Sequence, residues 1–322
     1  MTESPKRKRT ALINNFLPFA VLCSDLHIRP DTPACRKDDY GKAQESKIDF
    51  ILDLCKKYDC KMLVSGDFGH KSLNDGWPTE LLRWAIDKFK EVRPVVIPGQ
   101  HDLPSHRIEN IKKSGIGVLH AAGAIQIINE PTSFLSGSGH EFVIFPFPYG
   151  MPMEAPQEPV RCPLIAMTHQ MVINKKTLWP GQEGFEYGNQ LLKKFKSFDV
   201  ILSGDNHQSF DNELDGRFLV NPGSMMRMTL DQKEHEPAVY LWDGTNKKIQ
   251  RVLLPIEADV IDERYEEKNL QSELQRKRLE SFISKVRQDV EIELSFEDNL
   301  KKYFKKHRTE QDVQQLIWDF VA

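Results

Sequence analysis

Carboxylates, imidazoles and one carboxamide recur in this sequence in short groups, each directly after an apolar run. Asp25 and His27 lie in "SDLH", Asp67 and His70 in "SGDFGH", and Gln100, His101 and Asp102 in "GQHD"; His169 lies in "MTHQ", and Asp205 and His207 in "SGDNH". A single His-Asp pair in a loop is ordinary, because such residues hydrogen-bond readily. Five such groups in a row call for a common purpose. Two residues apart on an extended segment, side chains share a side, so Asp25 with His27, and Asp205 with His207, are expected to face one point. Asp25, His27, Asp67, Gln100, His169, Asp205 and His207 offer oxygen and nitrogen donors and no thiolate. That set suffices for two divalent ions sharing one carboxylate, and its chemistry favours Mn, Mg, Fe or Zn. Two such ions about 3.5–4 Å apart clamp the attacking and leaving oxygens of an in-line displacement at phosphorus. The expected reaction is phosphoester hydrolysis.

The elements that must position these groups are written in the hydropathy. Apolar runs rich in β-branched residues at 19–24, 61–66, 94–99, 141–147, 163–169 and 199–204 read as buried strands. Between the early ones, Ile48, Ile51, Leu52, Cys55 and Tyr58 fall at helical spacing, and a second helix enters through Pro78 with Leu81, Leu82, Ala85 and Phe89 on one face. Parallel strands joined by helices collect their sites at the carboxyl ends of the strands, where the polar groups sit. After about residue 215, "RFLV", "AVYLW" and "IQRVLL" predict strands without helices, hence mixed sheets packed on each other and flanked by helices. From residue 257 the chain turns highly charged and helical, with an apolar stripe at Leu279, Phe282, Ile283, Val286 and Val290 and a short strand "VEIEL". Ser295 with Asp298 and Thr309 with Asp312 read as caps of two last helices, the final one carrying Val313, Leu316, Ile317, Phe320 and Val321 on one face.

Composition narrows the partners. With 322 residues, 39% hydrophobic and 28% charged, the chain can bury one large core or two moderate ones. A net charge of -3 argues against gripping nucleic acid through bulk positive charge, while leaving a local basic groove open. The five cysteines are scattered without metal-site spacing, which suits free thiols in a reducing cytoplasm, bacterial or phage-infected. "KRKRTALINNFLPFAVLCS" has the outline of a secretion signal, but Asn14, Asn15 and Pro18 interrupt it and cleavage near Cys23 would remove the strand that leads to Asp25. No membrane partner is expected. "KKFK" (193–196) and "KKYFKKHR" (301–308) interleave basic and aromatic residues; they are expected to be solvated faces of amphipathic helices, with single-strand contact the alternative.

Taken in order, the five groups resemble the motifs D-x-H, G-D, G-N-H-[DE], H and G-H-x-H of the calcineurin-like metallophosphoesterase superfamily. The resemblance implies an α/β fold: a two-sheet sandwich (αββα) over residues 1–256, followed by a mostly helical accessory segment, 257–322. It implies a first ion on Asp25, His27, Asp67 and His207, and a second on Asp67, Gln100, His169 and Asp205, with Asp67 bridging. His101 would protonate the leaving oxygen, and Asp102 would orient and charge it. Two departures fall on the second ion: Gln100 stands where the superfamily has Asn, and Asp205 where it has His. The added carboxylate is expected to tighten hard ions, Mn²⁺ or Mg²⁺. Within the superfamily, "GDFGH" is similar to the G-D-x-x-H of SbcD/Mre-type DNA nucleases, which would place His70 beside the scissile strand. That likeness implies DNA as substrate, an SbcC/Rad-type ATPase on the C-terminal helices, and a homodimer, although no dimer motif is legible. The alternative is a phosphatase or phosphodiesterase acting on protein or small phosphoesters.

Overall fold

The computed structural model describes residues 16–72, 76–175, 183–262, 264–265 and 296–321. They fall into two compact units, within 1–261 and within 262–322. In the first, each early apolar run forms a strand: β1 (Ala20–Cys23), β2 (Lys61–Ser65) and β3 (Val95–Ile97). The two helical patterns become α1 (Tyr40–Tyr58), capped by Asp39 accepting from the Lys42 amide, and α2 (Thr79–Phe89), entered through Pro78. Then follow α3 (Gly115–Ala121), β4 (Gln126–Ile127), β5 (Thr132–Leu135), β6 (Glu141–Phe147), β7 (Leu164–Thr168), β8 (Val172–Ile173), β9 (Glu186–Tyr187), α4 (Gly188–Lys194) and β10 (Val200–Ser203). The unit closes with β11 (Phe210–Leu214), β12 (Arg217–Asn221), β13 (Ala238–Asp243) and β14 (Lys248–Leu253).

Two six-stranded sheets result, ordered β14-β13-β1-β2-β3-β4 and β11-β12-β10-β7-β6-β5, with β8 and β9 a separate parallel pair. Central strands are parallel and the outer partners β13, β14, β11 and β5 antiparallel, so both sheets are mixed. The sheets are coated on both faces, and successive residues of one strand enter different cores. On β1, Ala20 and Leu22 pack between the sheets with Leu63, Ile165, Met167 and Trp242, while Val21 and Cys23 pack against Ile48, Ile51 and Phe89 of the helices. The αββα sandwich is the expected one.

In the second unit, α5 (Phe296–His307) and α6 (Gln311–Val321) bury Leu300, Tyr303, Phe304 and Ile317 together, with Trp318 against them. The expected face of α6 is corrected here: Ile317 is buried, but Val313 and Leu316 are 40% and 55% exposed. The aromatics of both basic stretches lie in cores, Phe195 in the first unit and Tyr303 and Phe304 in the second, while the flanking Lys193, Lys194, Lys305 and Lys306 are exposed. Neither stretch presents an aromatic for stacking. The stripe at Leu279–Val290, "VEIEL" and Ser295 lie outside the described residues. No described helix is long and apolar enough to cross a membrane.

Candidate metal centre

All five polar groups sit beyond the carboxyl ends of β1, β2, β3, β7 and β10. The segments after β1 and β2 run together, with the amides of Asp25, His27 and Ile28 donating to the carbonyls of Gly66, Asp67 and Phe68 at 3.0–3.1 Å. Their side chains do not converge in the way an extended segment would bring them. Asp25 (φ 48), His27 (φ 45), Asp67 (φ 48) and Asp205 (φ 73) all adopt left-handed backbone, which for a non-glycine residue costs on the order of 1–3 kcal/mol. Strain held at four chemically matched positions is a mark of a functional site. Gly66, at φ 82, has its own reason: a Cβ there would lie 2.0 Å from His169 Nδ1.

His27 Nε2 lies 3.1 Å from His207 Nε2, 3.9 Å from Asp25 Oδ1 and 3.8 Å from Asp67 Oδ2. His207 Nε2 is 3.8 Å from Asp25 Oδ1, and His169 Nε2 is 3.4 Å from Asp67 Oδ2. Among the described residues, two sets of side chains are close enough to share an ion: Asp25, His27 and His207, and Asp25, Asp67 and His169. Asp67 Oδ2 stands between His27 and His169, while the carboxylate common to both sets is that of Asp25. Asp205 belongs to neither set; its Oδ1 instead accepts from Gln100 Nε2 at 2.7 Å.

The donors fit divalent ions on a further count. Asp25 Oδ2, Asp67 Oδ2, Gln100 Oε1 and His169 Nε2 are buried without hydrogen-bond partners, an arrangement that costs about 1–3 kcal/mol per group unless something else binds there. His169 is oriented for it: Nδ1 donates to the Ser65 carbonyl at 2.8 Å, which turns Nε2 toward Asp67. Burial pushes Asp25 up to about 8, with Asp67 adding to it. Burial would raise Asp67 too, but His169 and His27 outweigh it and hold that carboxyl below the usual range. Against the opposing effect of burial, Asp67 lifts His169 to about 10. Burial keeps His27 well below the usual imidazole value and lowers His207 as well.

His101 and His70 join the same cluster. The His101 ring is 5.2 Å from that of His27 and stacks on His70 at 5.8 Å with an interplanar angle of 8°. Asp102 takes a different role from the one expected. Its Oδ2 accepts from the amides of Phe68 (3.1 Å) and Gly99 (3.0 Å) and its Oδ1 from Gly69 (2.8 Å), and it makes no hydrogen bond to the His101 ring. Both oxygens are taken by backbone, so Asp102 ties the segment after β2 to the one after β3 and reaches His101 only through the chain.

The supports of the centre lie outside the residues named in the five polar groups. Ser65 Oγ donates to the carbonyls of Thr168 (2.7 Å) and Leu202 (3.1 Å), joining the two sheets beneath the centre. Asn221 Nδ2 donates to the carbonyls of Asn206 and Gln208, and the Ser224 amide donates to the His207 carbonyl, fixing the segment that carries His207. The signal for Ser65 was present, since "SGD" closes both the 61–66 and the 199–204 run.

Residues 20–209 match the family described as calcineurin-like phosphoesterase. The chain belongs to that family. Calcineurin-like phosphoesterases are metal-dependent phosphoester hydrolases with a dinuclear divalent centre, and the Asp/His sets above are the side chains available to build one. No curated protein sequence matches the chain. Similar solved structures include an archaeal phosphodiesterase (14% identity, 73% of this chain and 99% of that one, TM-score 0.39) and a putative 5'-nucleotidase of Staphylococcus aureus (15%, 79% and 57%, 0.48). Nuclease MPE of Pseudomonas putida is another (17%, 73% and 88%, 0.30). At these identities the likeness concerns fold and assigns no substrate.

Proposed function

We propose that the chain is a two-ion phosphodiesterase of SbcD/Mre type that hydrolyses DNA phosphodiester bonds in repair, recombination or replication, with Mn²⁺ the first choice of ion. The observation that carries the DNA reading is His70. It follows Asp67 at the spacing of that group of nucleases and stacks on His101 inside the cluster. Burial, with Arg29 and His101 nearby, pushes its pKa down to about 4, so it meets substrate as a neutral imidazole.

Asp25, His27 and His207 would hold one ion and Asp67, His169 and Gln100 the other. When bound, the ions supply Lewis acidity and positive charge at phosphorus. His101, beside His27 and seated by its own amide on Asp67 Oδ1 (2.9 Å), holds a proton on its imidazole and gives it to the leaving oxygen. A cavity of about 390 Å³ opens from His169 and Asp205 between Tyr149, Gln170, Met171 and Phe185. Its aromatic edges suit a nucleobase, for which stacking supplies about 1–3 kcal/mol.

The second reading, a phosphatase or small-substrate phosphodiesterase, is favoured by the other flank. A cavity of about 600 Å³ at His207 is lined by Asp211, Asp231 and Glu234, which repel a long polyanion, and by Glu236 paired with Arg251. Rates on linear DNA, p-nitrophenyl phosphate and nucleoside 5'-monophosphates with Mn²⁺ separate the two. Cleavage of DNA with slow turnover of the monoesters supports the nuclease; turnover of monoesters alone replaces it with the phosphatase.

A further inference from the structure

Gln100 and Asp205, the two positions at which this chain departs from the motifs it resembles, meet each other. Gln100 Nε2 donates to Asp205 Oδ1 at 2.7 Å. With its NH₂ turned toward Asp205, the amide points its oxygen the other way. That oxygen, Oε1, is buried and has no hydrogen-bond partner, in company with Asp25 Oδ2, Asp67 Oδ2 and His169 Nε2. Asp205 is itself held, in left-handed backbone at φ 73 and with its amide donating to Asp25 Oδ1 at 3.2 Å. It lies outside both sets of side chains close enough to share an ion.

We propose that Asp205 is a positioning residue rather than a ligand: it fixes the Gln100 carboxamide so that Oε1 completes the second half of the metal centre. The two departures are then one device. The longer amide reaches an acceptor on the segment after β10, and that acceptor decides which end of the amide faces the ion. A direct ligand acts through its own charge, whereas a positioning acceptor needs only an oxygen in the right place, and this difference makes the roles separable.

The inference rests on the two-ion reading, and its test counts ions rather than turnover. Mn²⁺ is titrated into the natural chain, Asp205→Asn, Asp205→Ala, Gln100→Ala and the Asp205→Ala/Gln100→Ala double variant, by calorimetry with elemental analysis of the bound metal. Circular dichroism confirms folding. Asp205→Asn keeps an oxygen for the Gln100 amide, so two ions are expected with the weaker site changed by no more than about threefold. Asp205→Ala is expected to lose about 10–100-fold at that site, the range for removing a residue that orients a ligand, and the double variant to fall no further than Gln100→Ala. Equal losses in Asp205→Asn and Asp205→Ala, or losses that add in the double variant, would overturn the positioning role and make Asp205 a ligand. If Asp205→Ala does not fold, Asp205→Asn decides against Gln100→Ala: a change within about threefold upholds the positioning role, and a loss as large as that of Gln100→Ala overturns it. A natural chain that binds a single ion overturns the two-ion reading itself, and the positioning role with it.

Discussion

The backbone amide of His101 donates to Asp67 Oδ1, while Asp67 Oδ2 faces His27 and His169. One carboxylate thus seats both the proposed acid and the middle of the metal centre. Gly99 makes the seat possible, because a Cβ there would lie 2.1 Å from Asp67 Oδ1. Gly99→Ala is expected to displace Asp67 and weaken Mn²⁺ binding by about tenfold or more, read by titration calorimetry. Natural affinity in that variant would refute the close approach.

Asp102 is a stability residue in this structure. Asp102→Ala leaves three buried amides without an acceptor, at about 1–3 kcal/mol each before relaxation, so a loss on the order of 3–5 kcal/mol in urea unfolding is expected. Asp102→Asn keeps one accepting oxygen and falls between. A change below about 0.5 kcal/mol in Asp102→Ala, with only the pH profile of cleavage altered, would restore the role of charging His101.

Ion binding is expected to release protons. At pH 7, Asp25, pushed up by burial to about 8, and His169, lifted by Asp67 to about 10, both carry protons in the metal-free chain, and each must lose its proton to bind an ion. Mn²⁺ affinity therefore rises with pH and falls as these groups are protonated. Calorimetry in two buffers of different ionisation enthalpy is expected to give about one to two protons released per chain. Identical heats in both buffers would contradict these protonation states.

Lys47, on α1, is buried, and its Nζ donates to the Met225 carbonyl at 3.0 Å. Burial, with Arg36 and Arg227 adding, pushes its pKa from 10.5 down to about 7. Between those values the unfolded chain binds more protons than the folded one, so stability rises with pH through this window and the gain is lost as pH falls toward 7. Urea unfolding in EDTA at pH 7.5 and 9 is expected to show a rise on the order of 1–2 kcal/mol that Lys47→Met lacks. Equal pH dependence in both chains would show that Lys47 is not its source.

The central strands were legible because they are buried on both faces and read as unbroken apolar runs, and the polar groups because they cluster where those runs end; β5 and β11, half-exposed along their length, were not. The short elements α3, β4, β8 and β9 were not legible. With two to seven residues each, they are set by the core they rest on rather than by a local period. The residues of the centre could be named from the chain, but not their conformations. Nothing in "SDLH" announces left-handed backbone at Asp25 and His27, which comes from pairing with the segment after β2. Asp102 was misread because adjacency to His101 suggested a partnership, whereas its side chain turns to the amides of Phe68, Gly69 and Gly99. The second helical unit gave its helices but not the buried face of α6, since one amphipathic stripe does not reveal which of its residues the neighbour covers.

Metal-dependent DNA cleavage with His101 as the acid is checked by incubating end-labelled linear duplex and single-stranded DNA with the natural chain and with His101→Ala, in Mn²⁺, in Mg²⁺ and in EDTA. Cleavage by the natural chain is expected to need the divalent ion, and His101→Ala is expected to lose about 10²–10⁴-fold with Mn²⁺ still bound. Cleavage that persists in EDTA, or a His101→Ala chain as active as the natural one, would contradict that mechanism.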